Sequence, residues 1–436
     1  MNALPQSLTI NSQQQCRGEV TLPGSKSIAN RALLIAALAD KPVLLNNVLR
    51  SDDTARMLES LTALGINIEE HSSTSLLVHG CKSQWPQLPE RLYLGNAGTA
   101  VRPLVAVLAA TLSTTATVVI DGDERMRERP LQHLIDSLQA RQASITSLLS
   151  PGYPPLAIGG GLSAGDFIID GSVSSQYISA LLMALPLLNG DSTLTLTGDV
   201  VSRPYIELTL AMLRDFGIKV ESVSDHHYAI AGAQIYRSPG EYFVEGDASG
   251  ASYWMAAAAI AGGPITIRGI GQHSIQGDIG FADVVEAMGA EVEWGDNQVT
   301  VRGSGVLRGI DFDGNKIPDA AMTIVPMALY AQGKTIIRNV ANWRVKETDR
   351  LAAMATEARK TGANVEEGAD YLIIHPPAII NHAVIDTYDD HRIAMCFALL
   401  AFSNVGVSIN NPACCAKTYP DFFDQFSRLC HNDPLI

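Results

Sequence analysis

The sequence predicts an α/β protein of two domains, each assembled from three copies of one helix-and-strand unit. Three observations predict it. First, an Ala/Leu-rich segment recurs six times, beginning at Arg31, Arg102, Tyr177, Ser252, Thr323 and Arg392, with spacings of 71, 75, 75, 71 and 69 residues. Each copy is apolar on nearly all sides, the mark of a buried helix. Second, each copy is followed by a β-branched run, starting at Val43, Thr117, Ser192, Pro264, Lys334 and Val405, which reads as a strand. Third, a more amphipathic helix ends in glycine and runs into another strand at Gly65, Gly217, Gly289 and Gly362, with a weaker copy at Gln142–Ile145. Glycine suits the left-handed residue that closes a helix.

The unit is therefore helix, strand, helix, strand, strand, and a period of this size marks a repeat fold. The sixth copy lacks its last strands. Leu8–Ile10 and Glu19–Leu22, at the start of the chain, are expected to supply them. The reading gives one domain over residues 24–244 and a second, discontinuous one over 1–23 with 245–436. The crossings fall near 23–24 and 244–246.

Composition agrees with two domains and narrows the function. The chain has 436 residues and is 47% hydrophobic, too long for one core. A net charge of −14 argues against a nucleic-acid or membrane-surface binder. No apolar run reaches the length of a membrane span, and Met1–Cys16 lacks the pattern of a secretory signal. The six cysteines, Cys16, Cys81, Cys396, Cys414, Cys415 and Cys430, form no zinc spacing and no disulfide framework. Reduced thiols in a cytoplasmic protein are expected.

The chemistry gathers where the buried helices begin. The six starts are Gly24–Arg31, Gly95–Arg102, Ser172–Tyr177, Gly246–Gly250, Pro318–Ala321 and Asp389–Arg392. A helix start offers free N–H groups and the positive end of the dipole, which together attract anions. Capping alone would explain any single copy. Six polar copies are harder to explain that way, and ordinary caps rarely need the Lys26, Arg31, Arg102, Arg392 or Asn96-Ala97-Gly98-Thr99 found at three of them. A second polar set follows the next strand: Arg125–Pro130, Ser202–Tyr205, Asn342–Arg350 and Lys417–Pro420. Such cationic supply suits substrates with several negative charges. Gly24-Ser25-Lys26-Ser27 is not a nucleotide-binding loop, because Ser25 separates Gly24 from Lys26 and no glycine stands five residues upstream.

Five motifs together are specific. Leu22-Pro23-Gly24-Ser25-Lys26-Ser27 with Arg31, Gly95-Asn96-Ala97-Gly98-Thr99 with Arg102-Pro103, Arg125–Pro130, Val345–Arg350 and Asp390-His391-Arg392 resemble the signatures of the 5-enolpyruvylshikimate-3-phosphate synthases, in family order from about residue 20 to 425. The resemblance implies two domains of three βαβαββ units, an inside-out α/β barrel. It also implies transfer of the enolpyruvyl group of phosphoenolpyruvate to the 5-hydroxyl of shikimate 3-phosphate, with no cofactor and no metal. Lys26, Ser27, Arg31, Ser174, Ser175, Gln176, Ser202 and Tyr205 would hold shikimate 3-phosphate, with Arg203 nearby. Lys26, Asn96, Gly98, Arg129, Gln176, Arg350, Arg392 and Lys417 would hold phosphoenolpyruvate. Asp319, Asn342 and Lys346 would reach the ring and its reacting hydroxyl.

The catalytic set is Asp319, Glu347, Lys346 and Lys26. Asp319 would take the hydroxyl proton, and Glu347, beside Lys346, would handle the proton at C3. The division among these three stays open. The Gly98-Thr99-Ala100 form resembles the branch inhibited by glyphosate. A monomer is the family expectation, and half-sites on two domains predict closure on substrate. Two competing functions are a UDP-N-acetylglucosamine enolpyruvyl transferase and a non-catalytic binder of phosphorylated metabolites. The first commonly carries a catalytic Cys near the second unit, and none lies between Cys81 and Cys396. The second has no use for Asp319, Lys346 and Glu347.

Overall fold

The computed structural model describes residues 5–431, so the first four and last five residues of the expected discontinuous domain lie outside the described residues. The chain separates into two compact units, Met1–Pro23 with Glu245–Ile436, and Gly24–Val244.

Unit 24–244 holds α1 (Lys26–Leu38), α2 (Asp52–Ala63), α3 (Gly98–Thr111), α4 (Gln132–Gln139), α5 (Ser175–Ala184) and α6 (Pro204–Asp215). The other unit holds α7 (Ala248–Ala261), α8 (Phe281–Ala287), α9 (Ile324–Ala328), α10 (Arg350–Lys360), α11 (His391–Ala398) and α12 (Phe422–Leu429). The odd-numbered helices are the apolar repeats. In α1 every residue but Ser27 is buried, and α3 packs along α5 and against α1. Leu33, Leu34 and Ile35 are fully buried, and each such side chain contributes about 1.5–3 kcal/mol. The even-numbered helices are amphipathic. Ser51 caps α2 in a reciprocal box with Thr54. The repeated glycines adopt positive φ, 87° at Gly65 and 92° at Gly362, and Gln142 takes the same conformation in the weaker copy, at φ 71°.

The sheets show the repeat best. Tyr93's strand, Arg91–Tyr93, runs parallel to Thr117–Asp121, which pairs antiparallel with Leu156–Gly159, which pairs antiparallel with Ile145–Ser147. With α3 and α4 between them the order is βαβαββ. The same pattern forms on Asp166–Asp170, Ser192–Thr197, His227–Ile230 and Val220–Ser224. All these sheets are open from edge to edge, with buried helices behind them, so the barrel of the expectation is not a closed sheet.

Two first strands are exchanged across the crossings. Gly18–Thr21, which leads into α1 in sequence, pairs parallel with Ile265–Arg268 of the fourth repeat. Glu241–Phe243, which leads into α7, pairs parallel with Val43–Asn46 of the first. This corrects one expectation. Ser7–Ile10 completes the sixth sheet against Val407–Asn410, but the Glu19–Leu22 segment does not join it. Among the described residues the sixth sheet stays three-stranded, because Gly18–Thr21 is taken up as the parallel edge strand that the fourth repeat otherwise lacks.

The thiols give a second correction. Cys16 and Cys430 are disulfide-bonded, with an S–S distance of 2.04 Å. Gln15–Cys16 pairs antiparallel with Cys430–His431, which sets the two cysteines opposite each other. A separation of 414 residues hides such a pairing from the sequence. Cys81, Cys396, Cys414 and Cys415 are free thiols. Among the described residues no helix is long and apolar enough to cross a membrane.

Candidate active site

The start of each apolar helix carries polar groups into a buried setting, and the two units do this differently. In unit 1–23 with 245–436, the center is Asp319, at the head of a short 3-10 turn (Ala320–Thr323) that leads into α9. Trp343 anchors the approach by donating from Nε1 to the Pro318 carbonyl at 2.7 Å. Arg392, on the first turn of α11, places Nη2 2.9 Å from Asp319 Oδ2. Arg350, the first residue of α10, places Nη1 3.1 Å from Asp319 Oδ1. Lys346 Nζ lies 3.8 Å from the same oxygen.

Arg350 is 1% exposed and nearly all its donors are used. It donates from Nη2 to Glu347 Oε2 at 2.8 Å and from Nε to Asp390 Oδ2 at 2.7 Å. Asp390 also caps α11, accepting from the Arg392 amide at 2.9 Å. Arg392 Nη1 reaches the Tyr253 hydroxyl at 3.3 Å, and Lys417 Nζ lies 4.0 Å from Glu347 Oε1. Asn342 is buried in the turn Ala341–Val345, next to Trp343 in sequence.

The electrostatics follow from this crowding. Burial would raise the Asp319 carboxyl, but Arg392, Lys346 and Arg350 outweigh it and hold the group well below the usual carboxylate range. Burial works against the Arg350 charge, yet Asp390, Glu347 and Asp319 keep it firmly protonated. Behind them Asp278 accepts from the Ser249 hydroxyl. Burial, and after it the Asp319 carboxylate, pushes the Asp278 carboxyl up to about 7.

In unit 24–244, Lys26 opens α1 and places Nζ 3.3 Å from Asp53 Oδ2 on α2. Arg31 is buried one turn on. It donates to Thr209 Oγ1 at 2.9 Å, Ser179 Oγ at 3.3 Å and the Ser27 carbonyl at 3.0 Å. Three of its five guanidinium N–H groups are engaged in these bonds. The Tyr205 carbonyl accepts from Thr209 Oγ1 at 2.7 Å, so Tyr205 joins the same network. Ser174 caps α5 through the Gln176 amide, with Ser175 buried next to it. Ser202 is buried at φ 55° ahead of Arg203, which turns outward to Glu207 and Asp225.

The run Arg125–Arg129 is sorted by the fold. Arg125 pairs with Glu128 at 2.8 Å on the surface, and Arg127 makes a two-point contact with Asp121 at 2.9 and 2.7 Å. Arg129 alone turns inward, donating to Asn96 Oδ1 at 2.8 Å. Gly98 begins α3 against the Arg102 and Arg129 guanidinium groups, with no room for a side chain. Asn30 crosses from α1 to α3, donating to Thr99 Oγ1 at 2.7 Å.

Residues 10–426 match the family model described as EPSP synthase (3-phosphoshikimate 1-carboxyvinyltransferase). The chain belongs to this family. The 3-phosphoshikimate 1-carboxyvinyltransferase of Idiomarina loihiensis is 62% identical over 427 residues, covering 98% of this chain and 99% of that one. The enzyme of that name from Vibrio vulnificus is 53% identical over 427 residues, covering 97% and 99%. Among solved structures, EPSP synthase from Acinetobacter baumannii superposes with a TM-score of 0.82 at 24% identity, covering 98% of both chains. The enolpyruvyl transferase NikO from Streptomyces tendae gives 0.76 at 19% identity, covering 97% of both, and so shares the fold.

Within this family member, the structure gathers Asp319, Lys346, Glu347, Arg350, Arg392 and Lys417 in one unit, and Asn96, Gly98 and Arg129 in the other. Sequence reasoning missed Asp53, Thr209, Ser179, Tyr253 and Asp278 as partners of these groups. Tyr253 lay inside an apolar repeat and Asp53 inside an ordinary helix start, so neither carried a signal of its own.

Proposed function

We propose that this family member transfers the enolpyruvyl group of phosphoenolpyruvate to the 5-hydroxyl of shikimate 3-phosphate, releasing phosphate through a tetrahedral intermediate. Lys26, Ser27, Arg31, Ser174, Ser175, Gln176, Ser202 and Tyr205 hold shikimate 3-phosphate. Asn96, Gly98, Arg129, Arg350, Arg392 and Lys417 hold phosphoenolpyruvate, with Lys26 and Gln176 serving both. Asn342 and Lys346 reach the ring. No cofactor takes part, the enzyme acts in the cytoplasm as a monomer, and glyphosate competes for the phosphoenolpyruvate groups.

The observation that carries this reading is the Asp319 carboxylate set among Arg392, Arg350 and Lys346, with Glu347 on the other terminal nitrogen of Arg350. Asp319 pairs with the cations that an anionic substrate would also seek. A carboxylate so stabilised is a poor base. When the phosphate and carboxylate of phosphoenolpyruvate take up the arginines, Asp319 loses its cations and its proton affinity rises. Basicity then appears only with substrate bound, when the 5-hydroxyl must be deprotonated.

Glu347 delivers the proton to C3 as the C–O bond forms at C2, and takes it back as phosphate leaves. Lys346 supplies charge next to both carboxylates. The fixed cations stabilise negative charge as it moves, each worth roughly 2–4 kcal/mol of barrier.

Phosphate release tests this. Release with phosphoenolpyruvate and shikimate 3-phosphate is expected, and none when UDP-N-acetylglucosamine is the acceptor. Release only with the UDP-sugar favours the first competitor, and no release with either favours a binding protein.

A further inference from the structure

Glu357, on α10, belongs to none of the motifs above, yet it is fully buried. Both of its oxygens are engaged. Oε1 accepts from the Tyr388 hydroxyl at 2.8 Å. Oε2 accepts from the Asp386 amide at 3.1 Å and lies 2.7 Å from Lys360 Nζ. Lys360 extends the grip to the Val384 carbonyl at 3.0 Å and to Asp386 Oδ2 at 2.9 Å.

The gripped segment is unusual. Tyr388 and Asp389 are consecutive non-glycine residues with φ of 52° and 56°. Such backbone persists only where the surroundings over-determine it. Immediately after it come Asp390 and Arg392. Helix α10 therefore holds residues 384–390 at two points, by Arg350 on Asp390 at its first turn and by Glu357 on Asp386 and Tyr388 two turns later. A plain ion pair with Lys360 would not explain the contacts to the Tyr388 hydroxyl and the Asp386 amide.

We propose that Glu357 is a positioning residue: through Tyr388 and Asp386 it fixes the strained turn that aims Arg392. The inference rests on the assignment of Arg392 to phosphoenolpyruvate. A role in stability alone would lower the active fraction, and so the apparent kcat, leaving both KM values in place. A positioning role acts on one substrate.

The test is steady-state kinetics of Glu357→Gln, Tyr388→Phe and the double variant, beside wild type, with thermal midpoints recorded. Tyr388→Phe removes a single hydroxyl from an exposed ring, so it keeps the test open if Glu357→Gln folds poorly. Both single variants are expected to raise the KM for phosphoenolpyruvate by about 3- to 10-fold, the scale of one lost hydrogen bond, with the KM for shikimate 3-phosphate unchanged. The double variant is expected to be no worse than the worse single, since both act through one contact. A wild-type phosphoenolpyruvate KM in Tyr388→Phe overturns the inference, as does an equal rise for both substrates. Wild-type enzyme that fails to turn over shikimate 3-phosphate overturns the underlying reaction instead.

Discussion

Arg392 Nη2 lies 2.9 Å from Asp319 Oδ2, so a cation assigned to substrate is already occupied by one of the enzyme's own carboxylates. The relationship separates two effects of Asp319→Asn. Loss of the base lowers kcat by about 10²–10⁴-fold. Loss of the internal counter-ion leaves Arg392 and Arg350 with less to give up when an anion arrives. The KM for phosphoenolpyruvate should therefore hold or fall while kcat collapses. A rise in that KM parallel to the loss of kcat would show that Asp319 organises the arginines and does not compete for them.

Asp278 gives the pH dependence. Its carboxyl is buried, with the Asp319 carboxylate near it, and is pushed up to about 7, partly opposed by the Ser249 hydrogen bond. In the unfolded chain an aspartate titrates near ~3.9. Between these values the folded protein binds a proton that the unfolded chain has released, so stability falls as pH rises from about 4 to about 7 and then levels. Asp278→Asn is neutral throughout and removes that loss. Its thermal midpoint should exceed wild type at pH 8, with the gain shrinking toward pH 5. An equal difference at both values would mean that Asp278 does not titrate in this window.

The repeat was legible because burial leaves a compositional mark: helices covered on every side must be apolar all round, and six of them recur at one spacing. Strand exchange was not legible, since Gly18–Thr21 carries the same alternation whichever sheet receives it. The fifth repeat shows a related limit. Its apolar run reads as a full helix, yet the chain forms a 3-10 turn at Ala320–Thr323 and then only Ile324–Ala328 as α-helix. Apolar composition reports burial, not helix length. At the site, cationic motifs located Arg129 but could not distinguish it from Arg125 and Arg127. That choice was made by Asp121 and Glu128, which hold the other two at the surface.

Gly98 tests the phosphoenolpyruvate assignment in the unit spanning 24–244. A Cβ added there would stand 2.8 Å from Arg129 Nη2 and closer still to Arg102 Nη1. Both arginines are at most 5% exposed and have little room to yield. Gly98→Ala should displace the Arg129 guanidinium from Asn96. The KM for phosphoenolpyruvate then rises by about 10-fold or more, the scale of a charge-assisted hydrogen bond, while that for shikimate 3-phosphate holds. Inhibition by glyphosate should weaken in the same variant. Unchanged kinetics with both ligands would remove Gly98 and Arg129 from the binding site.

Thiol counting tests the tie between the chain's two ends. Six cysteines are present in the sequence, and Cys16 and Cys430 are bonded to each other. Denatured protein should show four reactive thiols before reduction and six after. In the native protein the four should differ in rate. Burial pushes the Cys396 thiol up to about 12 and raises Cys415 as well, so both should react slowly, because the thiolate is the reactive form. Cys81 and Cys414 are only half-buried and should react first. The bond joins the strand ahead of Gly18–Thr21 to the end of α12, whose Phe422 and Phe426 pack on Trp254. Cys16→Ser should therefore cost about 2–4 kcal/mol, read as a lower midpoint in denaturant. Six thiols before reduction would show that the two strands pair without a covalent bond, and Cys16→Ser would then lose only the packing of one buried sulfur.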